Sequence, residues 1–351
     1  MTIFINISHP AHVHFFRNII NRLQTNGHIV IIGTRNKEFT NRLCEYFNIQ
    51  HYKLTNKGKG IVGLILELLT QQVKLFKIIR RHKIDMMLQI GGIFNAPVGW
   101  LCKIPTIAIS DTENDKIGNK ISFGLSRHIL SPDCWDTVSG GNWRKQIKYP
   151  GYHELAYLSP RYYQRVDKKK TNIFLLRFVG WGAAHDIGEK YLTNQQKIEL
   201  VNLLKTNGEV YISSEMDLPE EIKRYSFKLH PGKIHDFMKD CKMVIGESAT
   251  MASEAACLGI PAIFISNTGR GYTTEQDQKY GLIKHYRLDQ WDQILTSIKS
   301  WMTDEISEEW IRKHEKMLSD KIEVTDFFVD FITHYPQILR NLDFKKYKFL
   351  K

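Results

Sequence analysis

The sequence predicts an α/β protein made of two consecutive doubly wound domains. Three observations carry that expectation. Short, β-rich apolar runs alternate with helix-period segments from the first residues onward. The alternation stops at a charged stretch near the middle of the chain and then resumes. A length of 351 residues also exceeds what one hydrophobic core ordinarily holds. In parallel sheets of this kind ligands sit outside the carboxyl ends of the strands, so the two domains are expected to face each other across an interdomain cleft.

In chain order, residues 3–7 read as a strand, 14–26 as a helix and HIVIIGT from His28 as a second strand. A helix over 61–81, DMMLQIGG from Asp85 and PTIAISD from Pro105 continue the series. HILSPD follows Arg127, and a glycine-bearing loop at 139–142 leads into KYPGYHELAYLSP. VDKKK, ending at Lys170, has no apolar period and reads as the linker. The second series runs through TNIFLLRF from Thr171, a helix over 194–205, GEVYISS, KMVIGES, a helix over 250–258 and PAIFIS. The expected organisation is therefore a first domain at 1–165, a second at 171–306, and a helical tail at 307–351 that packs back on the first.

With 42% hydrophobic and 25% charged residues the chain is an ordered globular protein. A net charge of +12 favours anionic partners: a nucleotide diphosphate, nucleic acid or a membrane face. Nucleic acid is not expected, since no RNP-like, helix-turn-helix or zinc pattern occurs. The five cysteines are dispersed without a CxxC pair, a reduced, cytoplasmic pattern with no zinc site. MTIFINIS lacks a signal-peptide layout, and no apolar run reaches the ~18 residues of a membrane span. The segment GIVGLILELLTQQVKLFKIIRRHK, 60–83, is unusually apolar and basic at one end. It reads either as a helix buried against the sheet or as a surface helix on the inner face of a membrane.

Two stretches carry chemistry. NISHPAHVHFF places His9, His12 and His14 after the first strand. Their spacing lacks the i, i+4 geometry of zinc sites, so no metal is expected. A neutral imidazole at a helix start suits a general base, and the alternative is that all three histidines only orient the loop or pack. VIGESATMASEAACLGIPAIFIS runs from a strand through Gly246, Glu247, Ser248, Ala249 and Thr250 into a helix containing Glu254. Free N–H groups and the helix dipole make this turn a seat for a diphosphate. The alternative is a capped helix start with no ligand, and the residues alone leave both open.

The second stretch, with LGIPAIF, is similar to the donor-nucleotide motif of GT-B glycosyltransferases and the related UDP-N-acetylglucosamine 2-epimerases. TTEQDQKYG resembles the segment that holds the donor sugar there, and QIGGIFNAPVGWLCKIPTIAISDTEND resembles the GGY…HEQN segment of the peptidoglycan N-acetylglucosaminyltransferase. YPGYHELAYLSP is similar to the V-x-G-N-P-V segment before that enzyme's linker. The pairing of HPAHVHFF with ESATMASEAACLGIPAI looks like a prokaryotic domain-of-unknown-function family of the same superfamily, over about residues 1–290.

The resemblance implies a GT-B-like pair of Rossmann-like domains and an inverting, metal-independent glycosyltransferase for cell-surface glycans. Its substrates are then a UDP-linked nucleotide sugar and a glycan or lipid-linked acceptor, with no further cofactor. The implied catalytic residues are His12, Asp111 and Glu113. The implied binding residues are His9, His14, Gly91, Gly92 and Asn114, then Arg177, His185 and His230, then Glu247 to Thr250, Glu254, Glu275 and Gln276. Two departures stand out: RFVGWGAAHD replaces the usual glycine-rich loop, and Asp111 to Asn114 replaces HEQN. The alternatives are a nucleotide-sugar 2-epimerase, in which Asp111 and Glu113 remove and return the C2 proton, and a non-catalytic nucleotide-sugar-binding assembly protein.

Overall fold

The run Ile3, Phe4, Ile5 and Ile7 is buried throughout, as a strand covered on both faces requires. In the computed structural model it forms β1 (Thr2–Ile7), an interior strand of a seven-stranded sheet. The structure describes all residues except 38, 59, 92, 113–115, 136–141, 164–171, 181–190, 304–307 and 350–351. The chain divides into two units, Met1–Tyr157 with Lys321–Lys351, and Leu158–Asp320.

In the first unit β1 is joined by β2 (Ile29–Asn36), β3 (Tyr52–Asn56), β4 (Met86–Ile90), β5 (Thr106–Ile109), β6 (His128–Pro132) and β7 (Gln146–Tyr149). All pairs are parallel, in the order β3-β2-β1-β4-β5-β6-β7. The chain builds outward from β1 to one edge and restarts with β4 on its other side. That reversal makes a switch point between β1 and β4. The helices are α1 (Pro10–Thr25), α2 (Thr40–Tyr46), α3 (Gly60–His82), α4 (Asn95–Leu101), α5 (Lys116–Leu125) and α6 (Leu155–Leu158).

Helix α1 starts four residues before the apolar period predicts. Pro10 occupies its first turn, where the missing N–H costs nothing, and His9 caps it by accepting the Ala11 N–H at 3.2 Å. Beneath the switch point lies a buried amide network. Asn6 donates to Asn95 at 3.1 Å, Asn95 donates to the Leu88 carbonyl at 2.9 Å, and the Asn95 N–H donates to Gln89 at 3.0 Å. These bonds satisfy groups that would otherwise be costly to bury, and they anchor α4 to β1 and β4.

The second unit holds β8 (Ile173–Phe178), β9 (Glu209–Ser214), β10 (Met243–Gly246), β11 (Ala262–Ile265) and β12 (Ile283–Tyr286), parallel in the order β12-β11-β10-β8-β9. Its helices are α7 (Asn194–Leu204), α8 (Glu220–Lys223), α9 (Ile234–Met238), α10 (Ala249–Cys257), α11 (Gly271–Gln278), α12 (Trp291–Thr303) and α13 (Glu308–Asp320). Its core includes Phe174, Leu176, Leu200, Ile245, Ile263, Ile294 and Ile298. Only glycine fits at position 246, because a Cβ there would lie 2.0 Å from the Arg177 carbonyl oxygen.

The last helix, α14 (Val324–Thr333), belongs to the first unit and packs on α1. Thr325 donates to the Ala156 carbonyl at 2.7 Å, Arg22 pairs with Asp326, and Phe328 meets Phe15 edge-on at 5.1 Å. Lys321 is buried, with its ammonium 3.0 Å from Asp133 and 4.5 Å from the Tyr152 ring centroid. A buried cation persists only with such partners. Both units are Rossmann-like doubly wound α/β lobes, as the alternating runs predict.

Candidate functional site

Three parallel strands of the first unit deliver titratable side chains to one sheet edge. After β1 the chain turns at Ser8 and His9 and places His12 in the first turn of α1. After β5 comes Asp111, and after β7 comes His153. Asp111 Oδ2 lies 3.0 Å from His153 Nδ1, while Oδ1 accepts the Thr112 hydroxyl at 3.0 Å. The Ser8 N–H donates to His12 Nδ1 at 3.4 Å. Strand ends and a helix start, not one local motif, assemble this group.

The hydrogen bonds give the two imidazoles opposite polarity. His153 Nδ1–H points at a carboxylate, so its Nε2 carries the lone pair. That atom is buried and has no hydrogen-bond partner among the described residues. His12 accepts at Nδ1, so its neutral ring carries the proton on Nε2 and presents a donor. Burial holds the His12 imidazole down to about 3, opposed by Asp111 and reinforced by His153 and Lys37. Burial alone raises a carboxyl, but the charge and hydrogen bond of His153, the Thr112 hydroxyl and His12 hold Asp111 down to about 2. At neutral pH the site therefore contains a carboxylate and an uncharged His12.

A pH dependence follows. An unfolded imidazole takes up its proton near ~6.5, and folded His12 does so only near 3. Between these values the unfolded state binds more protons, so stability falls as pH falls, and above ~6.5 the group contributes no slope. His12→Gln is expected to flatten the loss of denaturation free energy between about pH 6.5 and 4 by about 1 kcal/mol per pH unit. Urea melts of both proteins across that range test it, and equal slopes would overturn the assignment.

The other histidines have local roles. His9 caps α1, with its ring 5.8 Å from that of His12. His14 is buried, 5.5 Å from both Phe47 and Tyr157. Gly91 adopts φ +83° after β4, a left-handed turn that favours glycine. Gly92, Glu113, Asn114 and His185 lie outside the described residues, as does the linker stretch 166–170.

In the second unit the turn into α10 is a capped helix start. Ser248 accepts the Met251 N–H at 3.3 Å, and Ala249 and Thr250 form the half-buried first turn. Glu247 is buried and accepts the N–H groups of Leu192 and Val179 at 2.7 and 3.2 Å, with burial raising its carboxyl. Glu254 is buried against His235, Oε1 to Nε2 2.8 Å. Gln276 is buried and donates to Ser253 at 3.0 Å, tying α11 to α10. Glu275 lies 3.5 Å from Lys279, and His230 accepts the Gly232 N–H at 3.1 Å. Arg177 donates to Ser213 at 2.9 Å and pairs with Glu215.

Of the sequence-predicted residues, the structure thus brings together His12 and Asp111 in the first unit. In the second it gathers Glu247, Ser248, Ala249 and Thr250, while Glu254 and Gln276 turn to buried protein partners. Sequence reasoning missed His153 and His235. The signal for His153 was present, as a histidine two residues after Gly151 at a strand end in KYPGYHEL.

Comparisons with known proteins follow the same outline. Residues 1–175 match a family model described as "Protein of unknown function (DUF354)". An uncharacterized protein of Methanocaldococcus jannaschii is 22% identical over 281 residues, covering 75% of this chain and 81% of that protein. A stretch of 113 residues is 32% identical to the UDP-N-acetylglucosamine--N-acetylmuramyl-(pentapeptide) pyrophosphoryl-undecaprenol N-acetylglucosamine transferase of Francisella philomiragia, 30% of each chain. The UDP-GlcNAc 2-epimerase of Neisseria meningitidis, solved bound to UDP-GlcNAc, superposes with a TM-score of 0.65 at 13% identity, over 95% of this chain and 100% of that one.

Proposed function

We propose that this chain, whose GT-B-like fold is related to UDP-sugar epimerases and glycosyltransferases, is a UDP-sugar 2-epimerase-type enzyme. The observation that carries the reading is the Asp111–His153 pair beside an uncharged His12. Inverting C2 breaks its C–H bond, whose electron pair forms a C1=C2 double bond as the C1–O bond to UDP breaks; UDP then adds back at C1 while a proton is delivered to the other face of C2, so the site must take a proton, hold UDP and return a proton. His153 Nε2 is the acceptor, with Asp111 holding the ring in that tautomer and stabilising the imidazolium. His12 offers Nε2–H to a substrate oxygen as a neutral donor, a role that replaces the base expected from the sequence. Glu113 stays a candidate for returning the proton.

In the second unit the free N–H groups at the start of α10, capped by Ser248, are assigned to the diphosphate. Glu254 and Gln276 position α10 through His235 and Ser253 rather than touching ligand.

The test uses purified protein and UDP-GlcNAc alone in D2O, followed by proton NMR. The expected product is the C2 epimer carrying deuterium at C2. Release of UDP that depends on added lipid extract, with the donor otherwise unchanged, would replace this reading with glycosyl transfer. Binding without turnover in either condition would leave only a nucleotide-sugar-binding protein.

A further inference from the structure

The amino-terminal half of helix α3 carries its polarity the wrong way round for a helix facing water, while its carboxyl half buries Leu75, Ile78 and Ile79 in the core. Outward positions Val62, Ile65, Leu66, Leu69 and Val73 are 71, 54, 59, 58 and 57% exposed, while the inward positions Glu67 and Gln71 are buried. The outward residues fall at i, i+3, i+4, i+7 and i+11, a single stripe along the helix. The rotation is held from inside. Glu67 takes a two-pronged ion pair from Arg35 at 2.5 and 2.9 Å, the Gly58 N–H at 2.9 Å and the Thr55 hydroxyl at 3.3 Å. Turning the apolar stripe inward would strand this buried carboxylate, so the exposure is built into the packing.

Helix α4 packs on α3 and adds Trp100 and Leu101, 65 and 68% exposed. Lys77, Arg80, Arg81, Lys83 and Lys103 are exposed at the carboxyl ends of these two helices. Exposed apolar residues concentrated on two packed helices in this way mark an interaction surface. Its companion charge selects the partner. A second copy of this chain, itself at +12, would meet the basic residues with more positive charge. The surface of an anionic bilayer satisfies both parts, since its headgroup boundary accepts the apolar side chains and its phosphates neutralise the cations. Among the described residues no helix is long and apolar enough to cross a membrane, so contact is from one side.

We propose that α3 and α4 form a docking face for anionic lipid bilayers. The inference goes beyond the epimerase reading, because a nucleotide sugar needs no membrane, and each can fail without the other. Flotation of the purified full chain with vesicles of phosphatidylglycerol and phosphatidylcholine tests it. Binding to these vesicles is expected to exceed binding to pure phosphatidylcholine by at least tenfold and to fall with added salt. Leu66→Ser with Leu69→Ser, and separately Arg80→Glu with Arg81→Glu, are each expected to weaken binding at least tenfold. The altered side chains are exposed, so melting temperatures should stay unchanged. Failure of the native chain to float, or flotation unaffected by either pair, overturns the proposal. A dimer that the serine pair converts to monomer, with no vesicle binding, would assign the face to a second copy instead.

Discussion

Asp111→Asn is expected to lower C2 epimerisation about a thousandfold, with UDP binding little changed. The carboxylate accepts from both His153 Nδ1–H and the Thr112 hydroxyl. An amide has one acceptor oxygen for these two donors and turns an N–H₂ group toward one of them. His153 then loses the partner that keeps its lone pair on Nε2, and the imidazolium loses its counter-charge. His153→Gln should be about as damaging, and the double variant hardly worse than either, because groups that act as one unit are not additive. The measurements are kcat at saturating UDP-sugar and the Kd of UDP by calorimetry. Retention of kcat within tenfold in Asp111→Asn would reduce the pair to a structural role.

The second large effect is on stability. Phe327→Ala should destabilise the first unit by about 3–5 kcal/mol, the cost of emptying a buried aromatic site. Phe327 is fully buried, with the rings of Tyr149, Phe328, Phe344 and Tyr347 centred 5.2–5.6 Å away. Since Phe328 packs on Phe15, and Phe15 lies 4.8 Å from His153, α14 also supports the His153 ring. Hydrogen exchange resolves the two units, so faster exchange is expected across β1, β4 and β7 and no change across β8 to β12. Equal acceleration in both sheets, or in neither, would show that α14 is not integral to the first unit.

Much of the fold was legible in the chain. Strands buried on both faces must be apolar throughout, so β1, β4, β5, β10 and β11 stand out as runs. The edge strand β3, YKLTN, buries only Leu54 and has no such signature, because a strand paired on one side needs less burial. The start of α1 was misplaced for a similar reason. Apolar period locates the face of a helix, whereas its end is set by a cap, here His9 with Pro10.

The site was legible in part. The resemblance to GT-B segments pointed to His12 and Asp111, and both follow apolar runs whose carboxyl ends a parallel sheet gathers at one edge. The number of titratable residues in the segment after β1 drew attention to three histidines, of which the structure buries His14 among aromatic rings and uses His9 as a cap.

What the sequence determined by itself was the set of strands and helices and the places where chain reversals leave chemistry-bearing side chains. These depend on local period, turn residues and apolar content, all of which can be read within a few neighbouring positions. Only the tertiary structure decided the pairings: Asp111 with His153, Glu254 with His235, Lys321 with Asp133, and Arg35 with Glu67. Each joins side chains far apart in the chain, and each is set by strand order and helix rotation. The same pairings fix meanings that composition leaves open, giving Asp111 a histidine partner and holding an apolar helix face toward solvent.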